Sequence, residues 1–189
     1  MASRAESIRL TRQKLIDSFW ELSEKYELKD ITIGKITKQA QLNRGTFYQY
    51  FNDIYDLLDF LEQELISELK GKLSMVLKND FSETFDYFSE ICTESLLKDN
   101  KKINLLLRNN PDFGKKIKKE MEPVLDSAGI LPEEFPHKDF VISSIFFSIL
   151  NIISYWHEHL DELSPQELLY LNKVMLLKGI SGLSDAAGR

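Results

Sequence analysis

The side chains best suited to chemistry in this sequence lie close together, within residues 44–49. They are a guanidinium, a hydroxyl, a phenol and an amide, contributed by Arg44, Thr46, Tyr48 and Gln49. Groups of these types hydrogen-bond the phosphate oxygens and base edges of nucleic acid. Phe47 and Phe51 alternate with them at helical spacing, which predicts a short helix with its aromatic rings inward and its polar groups outward.

Another short helix is predicted immediately before this one. Thr32 offers an N-cap oxygen, and Ile33, Ile36 and Ala40 recur at the spacing of one inward helix face. The segment 41–43 interrupts the pattern, with Leu42 filling the turn and Asn43 capping the second helix. A helix, a three-residue break and a second helix over about 32–51 have the proportions of a helix-turn-helix, in which Ala40 must be small because the helices cross closely.

The rest of the chain also has helical periodicity, which predicts an all-α fold of about nine helices without strands. Asp53 and Asp56 resemble a capping box before the fourth helix, and Ser164-Pro165 with Glu167 marks the start of the last one. The predicted helices are 8–28, 33–40, 44–51, 53–78, 81–97, 103–108, 111–125, 138–160 and 165–180.

Composition limits the classes of protein that the sequence can represent. The 189 residues include 43% hydrophobic and 29% charged residues, with only 8 Gly and 5 Pro, which disfavours a β-sandwich and a glycine-dependent nucleotide fold. A single Cys and the absence of a signal peptide predict a cytoplasmic protein. Residues 1–52 hold nine Lys and Arg against six Asp and Glu, although the whole chain is acidic at -6. A basic head on an acidic body is typical of a polyanion-binding module.

The stretch 33–51, with its Gly-Thr-Phe-Tyr-x-Tyr-Phe core, and Asp56-Leu57-Leu58 resemble the DNA-binding signature of tetracycline-repressor (TetR) type regulators. The resemblance covers roughly residues 8–65. It implies a helix-turn-helix DNA-binding domain over 1–52 and a helical effector-binding and dimerisation domain over 53–189. It also implies a homodimer that places two recognition helices in successive major grooves of a near-palindromic double-stranded operator.

The resemblance further implies individual roles. Thr32 and Tyr48 would hold phosphates, Gly45 would let the recognition helix approach DNA closely, and Asn43 would both cap and contact. Tyr50 is either a DNA contact or a surface aromatic. Either a phosphate or a base edge could be the partner of the four other candidates, Lys35, Arg44, Thr46 and Gln49. The implied DNA-binding residues are Thr32, Lys35, Asn43, Arg44, Gly45, Thr46, Tyr48, Gln49 and Tyr50.

Two positions depart from the family pattern. Gln41 stands in the turn where the family usually has Gly, and a left-handed backbone there would cost about 1 kcal/mol. Ile54 stands where a lysine is frequent, so one phosphate contact is expected to be absent.

The last two predicted helices present an association surface. The first of them has a core face and a second face on which small serines permit close helix approach, so a four-helix interface between two copies is expected. The residues assigned to this interface are Ser144, Ser148, Ile152, Tyr155, Leu168, Leu171 and Met175.

The middle helices are expected to enclose a pocket for an unidentified small-molecule effector, with aromatic walls and a few polar anchors. The alternative for each residue is an ordinary place in the core. The candidate lining residues are Phe88, Asn104, Arg108, Phe113, Phe147, Asn151 and Tyr155.

Other functions have weaker support. The apolar segment 140–156 is short for a membrane span and contains five Ser and Asn residues, so no membrane partner is expected. His157-Glu158-His159 lacks zinc-protease spacing, and no nucleophile or phosphate-loop motif occurs, so no metal, cofactor or enzymatic activity is expected. The favoured function is a DNA-binding transcriptional regulator, most simply a repressor released by an effector. The alternative is a helical protein-interaction scaffold without an effector.

Overall fold

The computed structural model describes residues 4–76, 97–127, 134–168 and 170–175. Every regular element in these ranges is helical, which confirms the predicted all-α class. The chain forms two compact units, Met1–Glu64 and Leu65–Arg189. The division falls inside one long helix, whereas the sequence-based division at 52/53 lies just before that helix begins.

The first unit consists of helix α1 (Arg4–Ser23), a 3-10 turn (Leu28–Asp30), α2 (Ile33–Gln39), α3 (Arg44–Tyr48) and the beginning of α4 (Ile54–Val76). Helix α1 ends five residues before the predicted Leu28. The backbone N–H groups of Lys25 and Tyr26 both donate to Leu22 O at 3.0 Å, which closes the helix there. Ile8 and Tyr26 fit the apolar period of the predicted helix 8–28, but they are 49% and 45% exposed.

Aromatic and aliphatic side chains form the core of this unit. Phe47 lies 5.6 Å from Phe51, and Phe51 lies 5.6 Å from Phe60, measured between ring centroids, so α3 is joined to α4 by a chain of rings. The Arg12 guanidinium of α1 lies 4.8 Å over the Phe60 ring and extends this contact to a third helix. The fully buried side chains are Leu15, Phe19, Ile31, Ile36, Phe47 and Leu57.

Helix α4 begins where the predicted capping box places it. Asp56 N donates to Asp53 Oδ1 at 2.9 Å, and Asn52 N donates back to Asp56 Oδ2 at 2.8 Å. These bonds satisfy one backbone donor in the first turn and one just before the helix, so the helix starts at Ile54.

The second unit contains the end of α4, α5 (Asn100–Asn109), α6 (Phe113–Ser127), α7 (Lys138–Glu158) and helical residues at 165–168 and 170–175. The predicted helix 81–97 lies almost entirely outside the described residues. Ser164 N donates to Glu167 Oε2 at 2.9 Å and Glu167 N donates to Ser164 Oγ at 3.3 Å, so the predicted start of the last helix is confirmed. The Ser164 hydroxyl and N–H hold the pKa of Glu167 below its usual value.

Apolar packing and ion pairs between helices stabilise the second unit. The ammonium of Lys72, near the end of α4, lies 2.9 Å from Asp99 Oδ2, just before α5, and 2.8 Å from Glu68. The indole Nε1 of Trp156, at the end of α7, donates to Leu163 O at 2.7 Å. Side chains at or below 1% exposure are Ile103, Leu106, Phe113, Ile117 and Ile153.

The turn between α2 and α3 is a Schellman motif. Leu42 N donates to Thr37 O at 2.8 Å and Gln41 N donates to Lys38 O at 3.2 Å. Gln41 has φ 56°, so the left-handed conformation considered from the sequence is present, and it is occupied by a residue with a Cβ. The turn therefore carries a backbone cost that a glycine would remove.

Replacing Gln41 by Gly should stabilise the chain by about 0.5–1 kcal/mol, because the relief of left-handed strain exceeds the added unfolded-state entropy. We expect the melting temperature to rise by about 1–4 °C in calorimetry. Lys38→Gly, in the same helix at an exposed right-handed position, is the control and should destabilise by about 1 kcal/mol. A lower melting temperature for Q41G would contradict this account of the turn.

Candidate nucleic-acid interface

Two side-chain caps set where the helices of the helix-turn-helix begin. Thr32 Oγ1 accepts from Lys35 N at 3.3 Å at the start of α2, and Asn43 Oδ1 accepts from Thr46 N at 2.7 Å at the start of α3. Both cap residues have the extended backbone typical of an N-cap. The predicted capping roles of Thr32 and Asn43 are therefore confirmed, while their contact with DNA stays a prediction.

Helix α3 has one buried side and one exposed side. Phe47 is fully buried, whereas Tyr48 is 57% exposed and packs edge-on against Phe47 at 5.9 Å between centroids. Arg44 and Gln49 are also exposed, and Tyr50 is half-buried. The core thus fixes the rotation of α3 and leaves a phenol, a guanidinium and an amide on its outer surface.

Two of the predicted contact residues bind the protein itself. The Lys35 ammonium donates to Asp30 O at 2.8 Å and lies 4.1 Å over the Tyr26 ring. The Thr46 hydroxyl donates to Asn43 Oδ1 at 3.0 Å and so takes part in the cap of α3. Their structural roles were not predicted, because the partners of Lys35 precede α2 and follow no helical period.

Gly45 and Gly34 both lie beside side chains that the sequence predicts to contact DNA. A Cβ on Gly45 would come within 3.2 Å of Asn43 Oδ1, so a side chain there would press on the cap of α3. A Cβ on Gly34 would lie 2.8 Å from Arg44 Nη2. Sequence reasoning assigned no role to Gly34, since this contact joins two helices across the turn and leaves no mark in the periodicity.

The predicted effector residues of the second unit have different surroundings. Asn104 is 2% exposed, and its Oδ1 accepts from Ser154 Oγ at 3.0 Å, which joins α5 to α7. Phe113 is fully buried, whereas Arg108, Phe147, Asn151 and Tyr155 are exposed. Phe88 lies outside the described residues. Among the predicted effector residues, Asn104 therefore has a specific polar contact, its hydrogen bond from α5 to Ser154 of α7.

A half-buried histidine lies near this polar contact. His157 is one turn after Ser154 on α7. Burial lowers the pKa of its imidazole, and the positive charges of Lys101 and Arg108 on α5 lower it further. Its Nδ1 is buried and has no hydrogen-bond partner among the described residues. The region therefore combines a half-buried imidazole with a lowered pKa, two cations and a buried amide.

The outer face of α7 is apolar and small-residue rich. Phe140 is 74% exposed and Tyr155 61%, and Ser144, Ser148 and Asn151 lie exposed at the same helical spacing between them. The opposite face supplies buried Ile142, Leu150, Ile153 and Trp156 to the core. Ile145 and Leu160 share the helical period of the core face in the predicted helix 138–160, but they are 39% and 49% exposed.

The other predicted interface residues divide by exposure. Ile152 and Met175 are half-buried and Leu171 is 38% exposed, whereas Leu168 is only 4% exposed. The Leu168 side chain therefore packs inside its own unit.

Within the described ranges, α7 is the one helix long and apolar enough to cross a membrane, by length and composition. In its most apolar stretch, 22% of the residues are buried. The same ranges contain no group of three or more His, Cys, Asp or Glu side chains placed to hold a metal ion.

Two solved structures resemble the chain over most of its length. The fatty acid degradation regulator FadR from Bacillus halodurans superimposes with a TM-score of 0.69 over 90% of this chain and 96% of its own, at 17% identity. Thermus thermophilus FadR, a TetR-family transcriptional repressor solved in complex with lauroyl-CoA, gives a TM-score of 0.53 over 89% and 94%, at 20% identity. No protein-family model and no curated protein sequence matches the chain. The chain therefore has the fold of these regulators, and the predicted resemblance to TetR-type proteins is confirmed for the fold.

Proposed function

We propose that this chain is a sequence-specific DNA-binding transcriptional regulator of the TetR type. The observation that carries the proposal is the geometry of α3, whose start is capped by Asn43 and whose rotation is set by the buried Phe47. That arrangement presents Tyr48, Arg44 and Gln49 together on an exposed surface. The shared fold with two FadR regulators supports the same function.

In this mechanism α3 enters the major groove and α2 crosses the sugar-phosphate backbone. The hydroxyl groups of Thr32 and Tyr48 donate hydrogen bonds to phosphate oxygens. Gln49 is suited to a base edge because an amide offers a donor and an acceptor together. Gly45 lets the start of α3 approach the DNA without a side chain in between. Such a protein acts in the cytoplasm by repressing or activating transcription, and it catalyses no reaction. We assign this chain as a repressor.

We propose further that two copies associate through the outer face of α7. Phe140 and Tyr155 expose large rings there, and Ser144 and Ser148 between them allow a second helix to approach closely. An apolar helix with this little burial needs a cover, and a second copy covers it by two-fold symmetry. Leu171 and Met175 extend this surface, while Leu168 does not take part because it is buried.

We propose third that a small-molecule effector binds to the second unit. Thermus thermophilus FadR was solved with lauroyl-CoA, and this chain covers 94% of that protein at the level of fold. A long-chain acyl-CoA combines an apolar tail with a polyanionic head, and the cations Lys101 and Arg108 near His157 suit the head. Ligand binding would release DNA by favouring a conformation with weaker operator affinity.

The DNA proposal predicts that selection from a random duplex library at about 150 mM salt recovers a near-palindrome. Arg44→Ala and Tyr48→Ala should each weaken binding to it by about tenfold or more, because each removes a donor to DNA. Both residues are exposed, so the variants should fold. Lys115→Ala, which removes an exposed cation of the second unit, is the control. Recovery of salt-sensitive, sequence-independent binding alone would favour the scaffold alternative.

The dimer proposal predicts twice the monomer mass in light scattering at micromolar concentration. Ser144→Glu combined with Ser148→Glu should yield monomer, since four carboxylates would meet at a symmetric apolar interface. Ser7→Glu on exposed α1 is the matched control and should remain dimeric. A monomeric wild-type protein would exclude the interface, and a detergent-dependent mass would favour a membrane for α7.

The effector proposal predicts that lauroyl-CoA raises the melting temperature. At a ligand concentration one hundred times Kd, the free energy of unfolding should increase by about 2.7 kcal/mol. Arg108→Ala should reduce this shift, whereas Lys115→Ala should not. Coenzyme A and lauric acid, tested separately, show which part of the ligand is bound. The absence of a shift with all three compounds would contradict an acyl-CoA effector.

A further inference from the structure

The charged end of Arg44 lies against Gly34. Arg44 is the first residue of α3, and Gly34 lies in the first turn of α2. A Cβ on Gly34 would be 2.8 Å from Arg44 Nη2 and 3.6 Å from both Nε and Cζ. All three atoms belong to the guanidinium, so the charged group itself occupies the space that a side chain at position 34 would need.

This environment differs from those of the other described glycines. A Cβ on Gly71 meets nothing within 4 Å, and one on Gly114 meets carbon atoms of Phe147, Leu107 and Leu150. A Cβ on Gly45 meets the oxygen of the capping Asn43 at 3.2 Å, which is a neutral group fixed in a hydrogen bond. At Gly34 the conflict is with the end of a flexible, exposed side chain. A substitution there would therefore move the guanidinium and leave the core unchanged.

The position of the guanidinium decides which part of DNA it reaches. In a helix-turn-helix the first helix crosses the backbone while the second reads the groove. A guanidinium held against Gly34 stays at the start of α2, the helix that Thr32 caps and that faces phosphates in this binding mode. A guanidinium that extended along α3 would instead point toward base edges.

We propose that Gly34 is a positioning residue that directs Arg44 to a DNA phosphate and away from the bases. The proposal rests on the proposed DNA-binding function. It resolves a choice that the sequence leaves open, since an arginine at this place suits both a phosphate and a guanine edge. The absence of a side chain at position 34 makes the choice.

The test is a double-mutant cycle on the selected operator, with affinity measured over a series of salt concentrations. Arg44→Ala should weaken binding about tenfold, lower the salt slope by about 0.9, and leave the preference at every base position unchanged. Gly34→Ala should weaken binding by a smaller factor. In the G34A background, R44A should then cost clearly less than tenfold, because the contact is already disturbed.

Gly71→Ala is the matched control, as a helical glycine whose Cβ would enter open space. Both Gly→Ala variants should raise the melting temperature by about 2 °C, because Ala favours helix. G71A should leave affinity and salt slope unchanged. A loss of affinity in G34A together with a higher melting temperature cannot result from unfolding.

Two outcomes overturn the proposal directly. An equal cost of R44A in both backgrounds would mean that Gly34 does not position Arg44. A changed preference at one base position, with an unchanged salt slope, would mean that Arg44 reads a base. If the wild-type chain selects no operator, the proposed function itself fails, and that result precedes any measurement on the variants.

Discussion

A helix of five residues cannot persist through its own hydrogen bonds, so α3 depends on the burial of Phe47. Helix nucleation is unfavourable, and isolated helices shorter than about 12 residues are marginal in water. Phe47 is fully buried and contacts Phe51, which contacts Phe60 of α4. The Asn43 cap and the Schellman turn, which both precede α3, hold the N-terminal end of this helix in place. Every functional group on the outer surface of α3 takes its direction from this buried ring.

The local devices of the fold could be predicted from the sequence, because each involves residues three to five positions apart. The caps at Thr32 and Asn43 and the Asp53 capping box belong to this class. The left-handed backbone at Gln41 was raised only by the family pattern, which usually has Gly at that position. Contacts across elements could not be predicted. The Arg44 guanidinium against Gly34 depends on how two helices meet, and no sequence period records that distance.

Exposure was harder to predict wherever a helix is apolar on more than one side. Two sets of apolar residues in α7 fit a helical period. One contains positions 142, 145, 149 and 153, and the other contains 142, 150, 153 and 156. The structure buries the second set and leaves Ile145 39% exposed. At Ile8 and Tyr26 the apolar residues simply lie on the surface, as many do in folded proteins. Periodicity identifies a helix and its general orientation, but packing decides which of two apolar faces is covered.

The second unit is built on polar contacts as well as apolar ones. Asn104 is buried and accepts from Ser154, and Asp99 is buried beside the Lys72 ammonium. Buried polar groups of this kind cost free energy unless they are paired, so they fix one arrangement of α4, α5 and α7 against alternatives of similar apolar burial.

The indole of Trp156 gives this chain an optical property. The sequence contains two tryptophans, and they lie in different units, with Trp20 on α1 edge-on to Phe19 at 5.3 Å and Trp156 bonded to Leu163 O. Emission from Trp20 therefore reports on the helix-turn-helix unit, and emission from Trp156 reports on the helical body. With one indole replaced by phenylalanine at a time, unfolding of each unit can be followed separately, and the cooperativity between them becomes a measurable quantity.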